Sequence, residues 1–116
     1  MKLTITTLFL SFMLLLSNLH SARVIFLYGA RSHASGDHEF QAGSHLLAKH
    51  INAQEKVNLQ ADVHSGWPED DSILDDADAI VIYADGTKVI GNGWDKMDQL
   101  VKKKKIGVLF MHYAVH

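Results

Sequence analysis

The chain has 116 residues, of which 47% are hydrophobic and 21% charged, a composition that argues against disorder and suits one small globular domain. Its formal net charge is -2, and it has no cysteine, which excludes disulfides, thiolate metal sites and a cysteine nucleophile. Acidic and basic residues are mixed except for the run from Lys102 to Lys105, so nothing indicates a nucleic-acid surface. Eight histidines are the unusual feature of the composition.

The N-terminal segment has the pattern of a secretory signal peptide. Lys2 is its one charge, an apolar run extends from Leu8 to Leu16, and the small residues Ser21 and Ala22 end it. A membrane anchor is the alternative, but the apolar run is short against the roughly 20 residues that span a bilayer. We therefore predict a signal peptide at residues 1–22 and a domain at residues 23–116. The mature protein is then secreted or periplasmic, without a stable membrane span.

The first predicted unit of the domain is a strand followed by a helix. Arg23 to Tyr28 is a continuous apolar and β-branched run, typical of a strand buried on both faces of a parallel sheet. A turn-forming loop begins at Gly29, and Asp37 is the expected N-cap of the helix. The apolar stripe predicted for that helix consists of Phe40, Gly43, Leu47 and Ile51.

Two strands and a short helical turn follow along the chain. Val57 to Val63 alternates in polarity, which predicts a strand near the sheet edge, and the sequence from Ser65 to Pro68 breaks it. A helical turn is expected at Asp71 to Asp75. Ala79 to Tyr83 is apolar throughout and predicts a central strand.

A glycine-rich loop then leads to a second helix, for which Asn92 is the expected cap. The lysine run occupies its C-terminal end, where cations suit the helix dipole. Ile106 to Met111 predicts a buried last strand. The packing face predicted for the second helix consists of Trp94, Met97, Leu100 and Val101.

Alternation of strands and helices predicts the α/β class, in the form of a flavodoxin-like three-layer fold with a parallel sheet. The sequence stops at His116, directly beyond a strand and without a helix for the far face of the sheet. Because a parallel sheet is covered on both faces, we expect this domain to be truncated at its C-terminus. A complete small protein of four strands is the alternative.

The carboxyl ends of the strands are where a ligand is expected, because open parallel sheets bind ligands in a crevice at that edge. If the first, third and fourth strands are neighbours, His33, His38 and His112 converge there with Asp85. Such donors suit a divalent metal such as zinc, or proton transfer by neutral imidazoles. The alternative is that these histidines are solvated and without function. The histidines in the expected crevice loops are His33, His38, His64, His112 and His116.

Other residues of these loops are candidates for ligand binding. His38 is predicted in the first turn of the first helix, where free N–H groups favour polar ligands. Arg31 and Asp85 are predicted to contact a substrate. Trp67 and Tyr113 would stack on a sugar ring, or would close the hydrophobic core instead. Nucleotide binding is a weak alternative, because the glycine-containing loop lacks both the GxGxxG spacing and a GK[ST] end.

Several short blocks, in order along the domain, resemble the ThuA-like (trehalose utilisation) family. The similarity covers nearly all of residues 23–116, and blocks in register are more specific than any one block. The blocks are RVIFLYG at 23–29, RSHASGDHEF at 31–40, GWPED at 66–70, DAIVIYADG at 78–86 and MHYAV at 111–115.

This resemblance implies a fold similar to class I glutamine amidotransferases, with His112 at the elbow that holds their nucleophilic cysteine. Amidotransfer by a thiolate is excluded, since the chain has no cysteine. The resemblance also implies a role in sugar metabolism, with a metal in the crevice of some members. The expected chemistry is proton transfer next to a keto-sugar carbonyl, with His38 and His112 as catalytic residues and a metal or Arg31 stabilising negative charge. The alternatives are a non-catalytic carbohydrate-binding or interaction domain and an inactive gene fragment.

Overall fold

A computed structural model describes residues 21–115. Its centre is a four-stranded parallel sheet, which confirms the predicted α/β class with a parallel sheet. The predicted signal peptide lies outside the described residues, apart from Ser21 and Ala22. The strands are β1 (Ala22–Tyr28), β2 (Leu59–Ser65), β3 (Ala79–Tyr83) and β4 (Gly107–Met111).

Two helices flank the sheet. Helix α1 (Phe40–Asn52) connects β1 to β2, and α2 (Trp94–Gln99) lies between β3 and β4 and continues into a π-helical turn at Leu100–Lys104. Short 3-10 turns occur at Asp71–Leu74 and Thr87–Val89, and the first of them confirms the predicted helical turn. Within residues 21–115, neither helix has the length and apolar character that crossing a membrane requires.

The strand order is β2-β1-β3-β4, with β2 at one edge as predicted. From β1 the chain passes to β2 on one side and then to β3 on the other, so the order switches between β1 and β3. The strands end at the same level, because Tyr28 pairs with both Ser65 and Tyr83, and Tyr83 pairs with Met111. The loops that follow the strands therefore leave from one edge of the sheet.

Each face of the sheet packs in its own core, as the alternation of side chains along a strand requires. The larger core includes Ile25 and Ile80, which are fully buried, together with Leu100 from the π-helical turn that follows α2. The smaller core places Phe26 and Val81 on the opposite face. Both central strands are apolar on two faces because helices cover both.

Helix α1 begins later than predicted and buries a different stripe. Its N-cap is Glu39 rather than Asp37, without a side-chain cap. The Glu39 carboxylate accepts hydrogen bonds from the Gly36 N–H (2.8 Å) and from Arg31 (3.2 Å), which hold the preceding loop in a non-helical turn. Leu47, expected in the core, is 38% exposed. The buried residues of α1 are Phe40, Ser44 and Ala48.

The predicted face of α2 is correct for Met97 and Leu100 and wrong for Trp94 and Val101, which are 46% and 41% exposed. The N-cap is Gly93, not Asn92, and the Trp67 ring occupies the space beside it. A β-carbon on Gly93 would lie 2.1 Å from that ring, so only glycine fits at this position.

The expectation that the last strand is buried is wrong. β4 forms the second edge of the sheet, and Leu109 is 55% exposed. The reason is the position of α1, which packs over β1 and β2 and leaves the β4 side of that face open. The lysine run does end the second helical segment as predicted, and Lys104 contacts Asp75.

Truncation of Leu100 tests the larger core. We expect Leu100→Ala to lower the free energy of unfolding by about 2 to 5 kcal/mol, because the side chain is 2% exposed and its removal leaves a cavity. Leu46→Ala, at a helix position that is 57% exposed, is the matched control and should change it by less than about 0.5 kcal/mol. Urea denaturation followed by circular dichroism measures both. Equal effects would contradict the described packing.

Candidate functional site

The loops after β1 and β3 run side by side at the switch point of the sheet. The Gly29 N–H donates to the Tyr83 carbonyl (3.0 Å), which extends the pairing of the strands by one residue. A β-carbon on Gly29 would lie 2.6 Å from the β-carbon of Ala84. The absence of a side chain at Gly29 thus lets the two loops approach, and it brings the residues that follow each strand together.

Asp85 receives contacts from two different loops. The Ser32 hydroxyl donates a short hydrogen bond to Oδ2 of Asp85. His33 Nδ1 lies 3.1 Å from the same oxygen, and His112 Nδ1 lies 2.8 Å from Oδ1. The His112 contact is close, but it lacks the alignment of a hydrogen bond. One carboxylate therefore joins the loop after β1 to the end of β4.

His38 completes the group through its contacts with the two other imidazoles. Its Nδ1 lies 2.8 Å from His33 Nδ1, and its ring centroid lies 4.2 Å from that of His112. A hydrogen bond between two imidazole nitrogens needs one donor and one acceptor, so only one of the Nδ1 atoms carries the shared hydrogen. We call His33, His38, Asp85 and His112 the histidine cluster.

His112 has an unusual backbone conformation. Its φ is 61°, in the left-handed region that non-glycine residues rarely adopt. Such a residue costs of order 1–3 kcal/mol and persists where surrounding contacts fix it. The surrounding rings are Tyr113 at 4.4 Å and Phe40 at 5.8 Å between centroids. The sharp turn directs the imidazole back over the sheet edge, toward Asp85.

The surroundings of Asp85 lower the pKa of its carboxyl from the ordinary 3.8. The largest cause is the hydrogen bond from Ser32, and positive charge on His112 and then on His33 acts in the same direction. Partial burial opposes them by disfavouring the charged form. Asp85 is therefore a carboxylate at neutral pH and can orient the imidazoles around it.

An open cleft of about 470 Å³ adjoins the histidine cluster. It passes over the end of β1 from the β2 side to the β3 side. Arg31 is one of its cations, and its guanidinium contacts Glu39 and the carbonyl of His33, each at 3.2 Å. The polar and charged residues that line the cleft include Arg31, Ser32, Ser65, Asp85 and Lys88.

The structure brings most of the predicted site residues together. His33, His38, Asp85 and His112 form the histidine cluster, and Arg31 lines the adjoining cleft. His38 does not lie in the first turn of α1 as predicted, because that helix starts two residues later. The loop turn fixed by Glu39, not the helix terminus, positions its ring.

The two predicted aromatic residues lie in different places. Trp67 packs against the larger core and lines a second cavity with Pro68 and Asn92. Tyr113 is 57% exposed beside His112, and its carbonyl accepts the Gly86 N–H at 3.0 Å. Only Tyr113 of the pair thus adjoins the histidine cluster. His64 lies in β2, and His116 lies outside the described residues.

Sequence reasoning missed Ser32, Glu39 and Lys88. Ser32 binds Asp85, Glu39 fixes the loop that carries His38, and Lys88 lines the cleft. Each adjoins or lies near a predicted residue, but no motif distinguishes it. The signal for Ser32 was its position beside His33 in the loop after β1.

A divalent metal fits the donors that are present. One ligand atom from each of His33, His38 and Asp85 lies within 4.8 Å of the others. Ligands at 2.0–2.1 Å from a tetrahedral zinc ion lie about 3.3 Å apart, so small movements would bring these atoms to bonding distance. Two imidazoles and a carboxylate are also a donor set that zinc and iron accept. The sequence predicted a metal held by His33, His38 and His112, with Asp85 close by, and the three donors that lie within this distance of one another are His33, His38 and Asp85.

No protein-family model, curated protein or solved structure matches this sequence. The function is therefore inferred from the residues of the site and their geometry.

Removal of the Ser32 hydroxyl tests the electrostatics of Asp85. We expect Ser32→Ala to raise the pKa of Asp85 toward 3.8, since the hydrogen bond from Ser32 is the largest cause of the lowered value. Carboxyl carbon NMR titration measures it, with Ser35→Ala in the same loop as the control.

The same substitution also changes how the stability of the fold depends on pH. Because the folded pKa lies below 3.8, ionised Asp85 stabilises the fold above that pH, and this contribution is lost as the pH falls through the folded pKa. Ser32→Ala should therefore lose less stability on acidification than the native chain does. An Asp85 titration that is identical in both proteins would contradict the described contact.

Proposed function

We propose that the cleft binds a sugar or keto-sugar derivative and that the histidine cluster transfers a proton at a carbon next to the carbonyl group. The observation that carries this proposal is the joint contact of Asp85 with His33 and His112 at the switch point of the sheet. A carboxylate that orients imidazoles beside a cleft is the arrangement that general acid–base catalysis uses.

His112 is the residue best placed to act as the base. Its Nδ1 faces Asp85, so its Nε2 is the nitrogen left for substrate. The Asp85 carboxylate, 2.8 Å from that Nδ1, holds the ring in one orientation. His38, whose ring packs against that of His112, is the second group able to accept or return a proton. Arg31, in the adjoining cleft, would stabilise the negative charge that develops on the carbonyl oxygen.

The assignment to sugars has two supports. The cleft is lined by hydroxyl, guanidinium, ammonium and carboxylate groups, which suit a ligand with many hydroxyls better than an apolar one. The sequence blocks that resemble the ThuA-like family supply the second support, because the loops with RSHASGDHEF, DAIVIYADG and MHYAV carry the histidine cluster. Membership of that family is part of the proposal.

A divalent metal at His33, His38 and Asp85 is a second part of the proposal. The convergence of the three ligand atoms supports it. When bound, such an ion would polarise a carbonyl oxygen as a Lewis acid. His112 is then left to move the proton, and Arg31 to orient the ligand.

Hydrogen exchange tests the catalytic proposal. We expect the protein to catalyse exchange of the hydrogen next to the carbonyl of a keto-sugar with deuterium from deuterated water. Proton NMR measures this exchange for each member of a panel of keto-sugars. His112→Ala should slow the exchange by roughly 100-fold or more, since positioned acid–base groups contribute about that much.

The control is His50→Ala, an exposed histidine near the end of α1, which should leave the rate unchanged. Binding without exchange would replace the catalytic proposal with a carbohydrate-binding domain. If no sugar binds and no sugar exchanges its hydrogen, the proposed function is contradicted.

Direct titration with zinc tests the metal. We expect tag-free protein to bind one zinc ion by calorimetry, and His38→Ala or Asp85→Asn to weaken binding at least about tenfold, since each removes a donor. His50→Ala again serves as the control. Equal affinity of the native chain and both variants would show that zinc binds elsewhere.

A further inference from the structure

Three fully charged side chains line the 470 Å³ cleft, and they differ in whether they have partners. Arg31 is paired with Glu39, and Asp85 is in contact with Ser32, His33 and His112. The Lys88 ammonium group has no hydrogen bond or ion pair within residues 21–115. The cleft therefore presents one uncompensated cation beside a carboxylate whose charge is already engaged.

The backbone that carries Lys88 is fixed by its own contacts. The 3-10 turn Thr87–Val89 follows Gly86, whose positive φ of 72° allows the sharp change of direction. The Gly86 N–H is held by the Tyr113 carbonyl, and Ile90, directly after the turn, is fully buried. The ammonium group thus extends from a rigid base, while its long side chain remains free to adjust to a ligand.

The neighbouring groups of the cleft suit an anion as well. Arg31 adds a second cation, and Ser65 supplies a hydroxyl from the β2 side. Asp85 is the one carboxylate among the described lining residues, and the hydrogen bond from Ser32 and the contacts of two imidazoles reduce its repulsion of an anionic ligand. Because Glu39 pairs with Arg31, Lys88 is the cation of the cleft whose charge no described side chain offsets.

We propose that the ligand carries an anionic group, a carboxylate or a phosphate, and that Lys88 binds this group. The inference rests on the proposed function, since it assigns the cleft a sugar acid or a sugar phosphate as its ligand. Lys88 acts as an anchor, a compact charge able to bind either group. The anchor holds one end of the ligand on the β3 side, and the carbonyl end lies toward the histidine cluster.

The experiment compares matched ligands on the full chain. Calorimetry would measure the affinities of a neutral sugar, the corresponding uronic acid and the corresponding sugar phosphate at low salt, with acetate and inorganic phosphate alone as further probes. The variant is Lys88→Met, which keeps a long side chain and removes the charge. Lys49→Met, at an exposed position in the last turn of α1, is the matched control.

We expect one or both anionic sugars to bind more tightly than the neutral sugar. Lys88→Met should weaken binding of the anionic sugar roughly tenfold and leave the affinity for the neutral sugar unchanged. Lys49→Met should leave both affinities unchanged. The acid and the phosphate arms show which anion is preferred. Equal affinities of charged and neutral sugars, or equal effects of both variants, would overturn the anion inference and leave the proposed function in place.

Failure of every sugar to bind would contradict the proposed function without deciding the anion inference. The anion inference is then decided by acetate and phosphate, with amide NMR shifts around residues 86–89 as the readout. Shifts that Lys88→Met abolishes would support an anion site without a sugar. Unchanged amide signals would overturn the inference.

Discussion

The contact of the Asp85 carboxylate with residues of two loops is the interaction on which the site depends. Ser32 and His33 reach it from the loop after β1, and His112 reaches it from the end of β4. These segments are far apart in sequence and are joined at this point by one side chain. The same contacts lower the pKa of Asp85 and keep it ionised, so that the carboxylate can position the imidazoles.

Two backbone constraints make that contact possible. Gly29 allows the loops after β1 and β3 to touch, since a β-carbon there would collide with Ala84. His112 adopts a left-handed conformation that turns the chain back at the end of β4. The parallel register ends all strands at one edge, and these two residues bring the side chains beyond that edge within contact. The position of the site thus follows from the common level at which the strands end.

The sequence predicted the strands and the meeting of the site residues, but it did not predict how the loop is held. Apolar runs such as Ala79 to Tyr83 identify buried strands, and the rule for carboxyl ends then groups His33 with Asp85. The start of α1 was missed because it depends on Glu39 binding Gly36 and Arg31, contacts within a loop that no periodicity encodes. The exposure of Leu47 likewise depends on which side of the helix meets the sheet, a tertiary choice.

Nitrogen NMR of the histidine rings tests the central claim most directly, because it reports whether Asp85 holds the imidazoles. Long-range proton–nitrogen spectra of the native chain and of Asp85→Asn would be compared at neutral pH, with the exposed His50 as internal reference. We predict that the ring nitrogens of His33 and His112 both change their shifts in the variant, while those of His50 do not. Unchanged spectra for His33 and His112 would contradict a cluster organised by Asp85.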